Sequence, residues 1–289
     1  MIRTGGWYSE DVPMRAIAAL VFIFLAARPC PAALPAGDFE NLGAGITGIL
    51  ERAREGASHM ADEVAPVPAG RYMYVDSEVA DLRSGPEEGL QTQLIRGEAV
   101  KIVLVRNGWA QVAAAEQPTL QDPEGYPGWV RLAELSADSA LAIHLTPLDH
   151  LALTHQQQME LREAFLERAK VLLGKPYLWG GRSERDGVDC SGLVSLAFAR
   201  AGYSVLRNAS DLYKVAAPVR DESSARPGDL VFFRNPQGVI HHVVIYSAPG
   251  QMLEAPGAGD HVRRVSARDR ILAAERSGET VSFGTLLPD

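Results

Sequence analysis

The chain has 289 residues, of which 46% are hydrophobic and 22% charged, so its composition is that of a folded globular protein and excludes a disordered or collagen-like chain. This length allows two domains. The formal net charge of −8 offers no general attraction to nucleic acid, and we expect no nucleic-acid partner. Two cysteines are too few for a disulfide framework or a Cys-rich zinc module.

An apolar segment follows a basic residue near the amino terminus. Residues 16–27 are uninterruptedly apolar behind Arg15, and small residues and prolines follow over 28–36. The segment is too short to span a bilayer, which requires about 20 residues. This pattern predicts a secretory signal peptide over residues 1–36, the alternative being a buried core helix. We therefore expect an exported protein that acts in the periplasm or at the cell surface once the signal peptide is cleaved.

Cleavage of this signal peptide would leave Cys190 as a lone cysteine in an exported protein, which calls for a functional reason. Cys190 begins a predicted helix over residues 190–201, and Asp189 is its predicted N-cap. The free N–H groups at a helix start favour a thiolate. Cys190 is therefore predicted to be a nucleophile, the alternative being a buried structural cysteine.

Short β-type segments separated by turns occupy residues 71–135. Strands are predicted at 72–75, 99–105, 109–112 and 129–130, with glycine- and proline-containing turns between them. This spacing predicts a small β-barrel. We interpret residues 117–119 as an ordinary turn.

The remaining residues alternate between helix and strand. Thr154 and Gln157 form a capping-box signature for a long helix that ends before Gly174. Strands are predicted at 230–233, 241–246 and 251–255, the last two forming a hairpin. A helix ahead of a meander of strands predicts an α+β domain and not a doubly wound sheet.

A nucleophilic cysteine needs a general base, and His242 is the predicted one. Pairing across the hairpin, with residue numbers that sum to about 496, places Glu254 opposite His242. A carboxylate in that place can orient the imidazole and stabilise its cation. The sequence thus predicts a Cys190–His242–Glu254 constellation. His241 and His261 are competing bases, and an ordinary cross-strand polar pair is the alternative for Glu254.

Four motifs, taken in order, resemble the NlpC-type cell-wall cysteine peptidases. They are PYLWGG at 176–181, DCSGLV at 189–194, RPGDLVFF at 226–233 and HVVIY at 242–246. The upstream domain resembles a bacterial SH3-like domain. Its motif GYPGWV at 125–130 resembles the subgroup of γ-D-glutamyl-L-diamino acid endopeptidases.

The resemblance implies an α+β, papain-like catalytic domain preceded by a small all-β SH3-like barrel. The whole chain then divides into five segments: a signal peptide at 1–36, a helical segment with a linker at 37–70, the SH3-like domain at 71–137, a second linker at 138–154 and the peptidase domain at 155–289.

The resemblance also implies site residues. Cys190 would be the nucleophile and His242 the base, with Glu254 at the place of the family's third polar residue, which is often a histidine. Substrate would contact a cleft formed by Tyr177, Trp179, Asp189, Ser191, Tyr126, Gln91, Asn208 and Ala209. Tyr177 would help the backbone N–H of Cys190 to bind the oxyanion.

Two of these positions depart from the subgroup. Acidic residues there commonly hold the free amine of an N-terminal L-Ala, whereas Gln91 and Asn208 are uncharged amides. Loss of two charge-assisted hydrogen bonds predicts a weaker dependence on the free amine. The alternative is compensation by another acidic residue, such as Glu87, Glu88, Asp189 or Asp211.

The implied reaction is hydrolysis of the bond between γ-D-glutamate and an L-diamino acid (diaminopimelate or lysine) through a cysteine thioester. Its substrates would be peptidoglycan stem peptides or muropeptides. The alternatives are an amidase or acyltransferase of the same fold and a non-catalytic wall-binding module. No metal or nucleotide motif occurs in the sequence, so we expect no cofactor and no metal. We expect the chain to act as a monomer.

Overall fold

The computed structural model describes residues 68–148 and 153–288. The predicted signal peptide and the predicted helical segment after it lie outside the described residues. Among those described, no helix is long and apolar enough to cross a membrane.

Residues 71–136 form a curled antiparallel sheet, called here the first sheet, with the strand order β3-β2-β6-β5-β4-β1-β7. Its strands are β1 (Tyr72–Val75), β2 (Val79–Arg83), β3 (Leu90–Ile95), β4 (Ala99–Arg106), β5 (Trp109–Ala114), β6 (Tyr126–Arg131) and β7 (Leu135–Ser136). Buried aliphatic side chains from successive strands fill the space inside it, among them Val75, Leu82, Leu94, Ile102, Val112 and Val130. The four predicted strands are present as β1, β4, β5 and β6, and β2, β3 and the two-residue β7 were missed.

The following residues build the second half of the fold. Its helices are α1 (His155–Val171), α2 (Cys190–Arg200), α3 (Ala209–Val215) and α4 (Ala267–Arg276). Its strands are β8 (Thr146–Pro147), β9 (Arg182–Ser183), β10 (Gly187–Val188), β11 (Tyr203–Ser204), β12 (Ala217–Val219), β13 (Leu230–Arg234), β14 (Ile240–Ala248), β15 (Gln251–Glu254), β16 (Arg263–Ser266) and β17 (Thr280–Thr285). Short 3₁₀ helices occur at Leu132–Glu134, Ser139–Leu141 and Glu222–Ser224.

Six of these strands form an antiparallel sheet, the second sheet, in the order β12-β17-β13-β14-β15-β16. Helices α1 and α2 cover one face, where Phe165 stacks on Phe198 at 4.2 Å between ring centroids and Leu193 packs with Val243. Helix α4 covers the other face through residues such as Ala274. The sheet therefore lies between the helix that begins at Cys190 and the helix α4.

The predicted start of α1 is confirmed. The hydroxyl of Thr154 accepts a hydrogen bond from the backbone N–H of Gln157, and the Gln157 side chain accepts one from the backbone N–H of Thr154. This pair satisfies N–H groups that would otherwise lack partners at the helix terminus.

A buried polar network joins the first sheet to the second half of the fold. Arg182 pairs with Glu98 at 2.7 Å, and each side chain is only 1% exposed. Gln117 donates to the carboxylate of Glu98 and to the carbonyl oxygen of Gln93. The interpretation of residues 117–119 as an ordinary turn is therefore incomplete, because the Gln117 side chain is buried at the centre of this junction.

Half-buried Glu116 lies beside this network. Burial raises its pKa to about 7, the Glu98 carboxylate adds to that rise, and the Arg182 guanidinium opposes it. The native state therefore binds the proton more tightly than the unfolded state, so stability falls as pH rises from about 4.5 through about 7.

Glu116→Gln is therefore expected to stabilise the fold at pH 8 and to change little at pH 4. Because the side chain is half exposed, we expect a gain of about 1 kcal/mol, or about 2–4 °C in Tm. Thermal unfolding at the two pH values measures this, with the exposed Glu163→Gln on α1 as a control. An equal gain at both pH values would contradict the argument.

Candidate active site

Cys190 is the first residue of α2, and the fold brings it against strand β14. The N-cap is Asp189, as predicted, whose carboxylate accepts the backbone N–H of Gly192 at 2.6 Å. The backbone N–H of Val243, which follows His242 in β14, faces the Cys190 sulfur and favours its thiolate. The thiol thus lies where the start of a helix meets the strand that carries the predicted base.

The environment of the thiol favours its protonated form. Burial raises the pKa of Cys190 to about 11, and the neighbouring Asp189 carboxylate acts in the same direction. The N–H groups of Val243 and Ser191 and the guanidinium of Arg207 favour the thiolate but do not outweigh burial. The N–H groups at the helix start act in the predicted direction, but burial outweighs them, so a thiol in this place needs a base to take its proton.

His242 is buried, and its ring centroid lies 5.6 Å from that of Phe233. The predicted cross-strand register is wrong by two residues. Strand β14 pairs Ile245 with Leu253, and continuing this register by one residue places Glu254 opposite Val244. The Glu254 side chain nevertheless lies beside His242, because its Oε2 is 3.6 Å from Nε2 of the imidazole.

This contact is longer than a hydrogen bond, so Nε2 of His242 has no hydrogen-bond partner among the described residues. Burial by itself would raise the pKa of Glu254. The contact with His242 and the guanidinium groups of Arg270 and Arg263 outweigh it and lower that pKa to about 2. Glu254 is therefore a carboxylate at neutral pH.

The two competing histidines lie in different surroundings. His241 is exposed and lines the open cleft, and its Nε2 is 2.9 Å from the carboxylate of Glu279. His261 is about 60% exposed and lies beside Asp260. His242 alone of the three is buried beside a carboxylate.

Asp189 also fastens the loop that precedes α2. Its carboxylate accepts the backbone N–H of Gly180, and two nitrogens of Arg207 donate to it at 3.1 and 2.8 Å. The loop approaches α2 so closely that a Cβ at Gly192 would collide with the carbonyl oxygen of Gly181. Asp189 borders the cleft as predicted, but its acceptor sites are already used by protein donors.

Arg207, for which no sequence motif predicted a role, is 2% exposed and lines the cleft. Besides Asp189, its guanidinium donates to the hydroxyl of Ser191 at 2.8 Å and to the hydroxyl of Thr92 at 2.7 Å. Thr92 belongs to β3 of the first sheet. Arg207 therefore ties the first sheet to the start of α2, a link that only the fold makes visible.

One cleft of about 440 Å³ brings the predicted substrate residues together with Cys190. It is lined by Tyr177, Trp179, Asp189, Ser191, Asn208 and Ala209 and, from the first sheet, by Gln91 and Tyr126. Trp179 is 74% exposed at this cleft. Burial and the neighbouring Cys190 raise the pKa of Tyr177 to about 12, so its phenol stays neutral and can donate a hydrogen bond.

The end of the cleft near Gln91 and Asn208 holds few free charges. The side-chain amide of Asn208 donates weakly to Asp211, at 3.4 Å, and Asp211 is itself 5% exposed and in contact with Lys214. Of the other acidic candidates, Glu87 pairs with Arg131. Among the described residues, no group of His, Cys, Asp or Glu side chains is arranged to hold a metal ion.

Two segments of the chain match known protein families. Residues 174–278 match the model of the NlpC/P60 family, and residues 82–135 match that of the bacterial dipeptidyl-peptidase Sh3 domain. The γ-D-glutamyl-L-lysine dipeptidyl-peptidase of Bacillus subtilis strain 168 is 29% identical, over 64% of this chain and 79% of its own. The Bacillus cereus protein of the same name is 25% identical, over 58% and 68%.

Two further similarities concern the second half and the fold. Murein DD-endopeptidase MepH of Escherichia coli K12 is 40% identical over 32% of this chain and 36% of its own. The crystal structure of an NlpC/P60 family protein from Bacillus cereus ATCC 10987 superposes with a TM-score of 0.62 at 20% identity, over 75% of this chain and all of that one. The predicted fold, a papain-like α+β domain behind an SH3-like barrel, is confirmed.

Proposed function

Because this chain carries an NlpC/P60 cysteine peptidase domain together with a bacterial dipeptidyl-peptidase Sh3 domain, we propose that it hydrolyses the bond between γ-D-glutamate and an L-diamino acid in peptidoglycan stem peptides. The observation that carries the proposal is the single cleft in which Tyr126 and Gln91 of the first sheet lie with Cys190. The names of the two Bacillus relatives support the same bond.

In the proposed reaction, His242 takes the proton of the Cys190 thiol as the sulfur attacks the carbonyl carbon of γ-D-glutamate. The backbone N–H of Cys190 and the neutral phenol of Tyr177 donate to the oxyanion. The tetrahedral intermediate collapses to a thioester, and the departing amine of the diamino acid takes its proton from the imidazolium. Water, deprotonated by His242, then hydrolyses the thioester and restores the thiol.

The ionised carboxylate of Glu254 would orient the imidazole and stabilise its cation through Nε2. We further propose that the chain is exported by the segment 1–36 and acts on the wall or on fragments released from it. In this scheme the domains are those predicted above, at 71–137 and 155–289.

The test is mass spectrometry of the tripeptide L-Ala-γ-D-Glu-diaminopimelate after incubation with the purified protein, with Cys190→Ala as the matched blank. We expect free diaminopimelate from the wild type alone. Release of a different product, such as an exchanged amide, would favour the amidase or acyltransferase alternative. Absence of turnover on every stem peptide, together with an unreactive Cys190 thiol, would favour the alternative of a non-catalytic wall-binding module.

We also propose that the enzyme discriminates weakly between free and N-acylated stem peptides. Gln91 and Asn208 offer a free ammonium group no carboxylate, and Asp211 contributes only from behind Asn208. We expect kcat/KM for the free tripeptide and its N-acetyl form to agree within about tenfold, since no charge-assisted bond is lost on acylation. A preference for the free amine of about 10³-fold would contradict this and would point to Asp211 as the group that binds it.

A further inference from the structure

The carboxylate of Glu254, which faces His242, is held by two arginines. Arg263 donates to Oε1 through Nε and Nη2, both at 3.1 Å, and Arg270 donates to Oε2 through Nε, also at 3.1 Å. Glu254 itself is only 1% exposed. Its charge is thus balanced inside the protein and not by water.

Each arginine is held in turn by its own surroundings. The Arg270 guanidinium lies 3.9 Å from the ring centroid of Phe233, which packs against His242, and its Nη1 is 4.0 Å from Glu279. Arg263 pairs directly with Glu254 in the β15–β16 register and donates to Asp260 at 2.6 Å. The planar guanidinium groups can therefore approach the carboxylate only in a narrow range of directions.

An ionised carboxylate offers about four acceptor positions. The arginines occupy three of them, two on Oε1 and one on Oε2, so the remaining position lies on Oε2, the oxygen that faces Nε2 of His242 at 3.6 Å. An imidazole that directs Nε2–H to this oxygen can present only Nδ1 to the thiol.

We propose that Arg270 and Arg263 are positioning residues that fix the Glu254 carboxylate with one acceptor position directed at His242. This inference rests on the proposed function of Cys190 and His242. Neither arginine touches substrate. Both act through Glu254, and the proton balance of the reaction is unchanged because the thiol proton still passes to the imidazole. Arg270 has the larger effect, since it shares Oε2 with His242 and is 20% exposed against 42% for Arg263.

The first test is the kinetics of Arg270→Ala on the tripeptide. We expect kcat to fall about 10- to 100-fold, as for removal of other supporting hydrogen bonds in active sites, with KM within about twofold. Millimolar guanidinium ion should restore part of kcat, whereas tetramethylammonium at the same concentration should not. Arg270→Lys keeps the positive charge but lacks the planar guanidinium group, so its kcat should lie between those of the wild type and Arg270→Ala. Arg268→Ala, on the exposed side of the same helix, is the matched control.

The second test asks whether Arg270 acts through Glu254. In a double-mutant cycle, adding Arg270→Ala to the Glu254→Gln variant should lower kcat little further. Additive losses, or a kcat of Arg270→Ala equal to that of the wild type, would overturn the proposal. Thermal unfolding of each variant identifies any that fail to fold. If Arg270→Ala does not fold, the same double-mutant cycle with Arg270→Lys in its place tests the proposal.

A third readout does not depend on turnover. The rate of Cys190 alkylation by iodoacetamide, followed on the Cys190 peptide by mass spectrometry, should fall in Arg270→Ala by the same factor as kcat. If the wild type cleaves no stem peptide but Arg270→Ala still slows alkylation, the proposed function fails and the positioning role stands. If turnover is normal and alkylation is unchanged in the variant, the positioning role fails alone.

Discussion

His242→Ala is expected to lower kcat/KM about 10⁴-fold at pH 7, close to the blank set by Cys190→Ala. Burial raises the pKa of the Cys190 thiol to about 11, so without a base only about one thiol in 10⁴ is ionised at pH 7. The N–H groups at the start of α2 cannot make up this deficit. The reaction therefore depends on a neighbouring imidazole that receives the proton.

The pH dependence of this variant distinguishes loss of a base from general damage. Between pH 7 and 9 the residual rate of His242→Ala should rise about tenfold per unit, because the thiolate fraction does. Steady-state kinetics over this range measure the slope, with the exposed His144→Ala as a control. If His241→Ala shows the 10⁴-fold loss and the steep slope while His242→Ala does not, the base is His241 and the assignment is overturned.

Local signals in the sequence were sufficient for the elements that carry the reaction. The capping box of α1 and the N-cap of α2 are short-range hydrogen bonds between residues three apart, so the spacing alone reveals them. The hairpin of β14 and β15 was likewise predicted, and with it the neighbourhood of His242 and Glu254. Its register was not, because the turn residues are Pro249 and Gly250, so the hairpin is centred between them and not at Ala248, and the bulge between Tyr246 and Ala248 only partly offsets this difference.

Strand β3 and helix α4 were missed for different physical reasons. Strand β3 buries four consecutive residues, the polar Thr92 and Gln93 and the apolar Leu94 and Ile95, so it does not alternate between buried and exposed residues. Helix α4 is short and rich in arginine, and its two buried residues are the small Ala267 and Ala274, so its apolar stripe is a weak signal in the sequence. Ser266, which caps α4 by accepting the N–H of Asp269, was the available signal for this helix.

Glu98→Ala is expected to destabilise the fold by about 3–5 kcal/mol, since it leaves the Arg182 guanidinium buried without a counter-charge. Both side chains are 1% exposed, and Gln117 loses an acceptor in the same step. Urea unfolding should show a lower midpoint. Asp76→Ala, which breaks the exposed pair with Arg96, should cost less than about 1 kcal/mol.

The double variant Glu98→Leu with Arg182→Met separates charge from packing. Replacing a buried ion pair by apolar side chains of similar volume is often close to neutral, so we expect the double variant to recover most of the lost stability. Its activity is expected to stay low, because Arg182→Met also removes the hydrogen bond that the Arg182 side chain donates to the hydroxyl of Ser195 on α2. Recovery of stability without recovery of kcat would mean that the buried polar network around Glu98 and Arg182 positions Cys190. A midpoint for Glu98→Ala equal to that of Asp76→Ala would contradict the role of the buried pair.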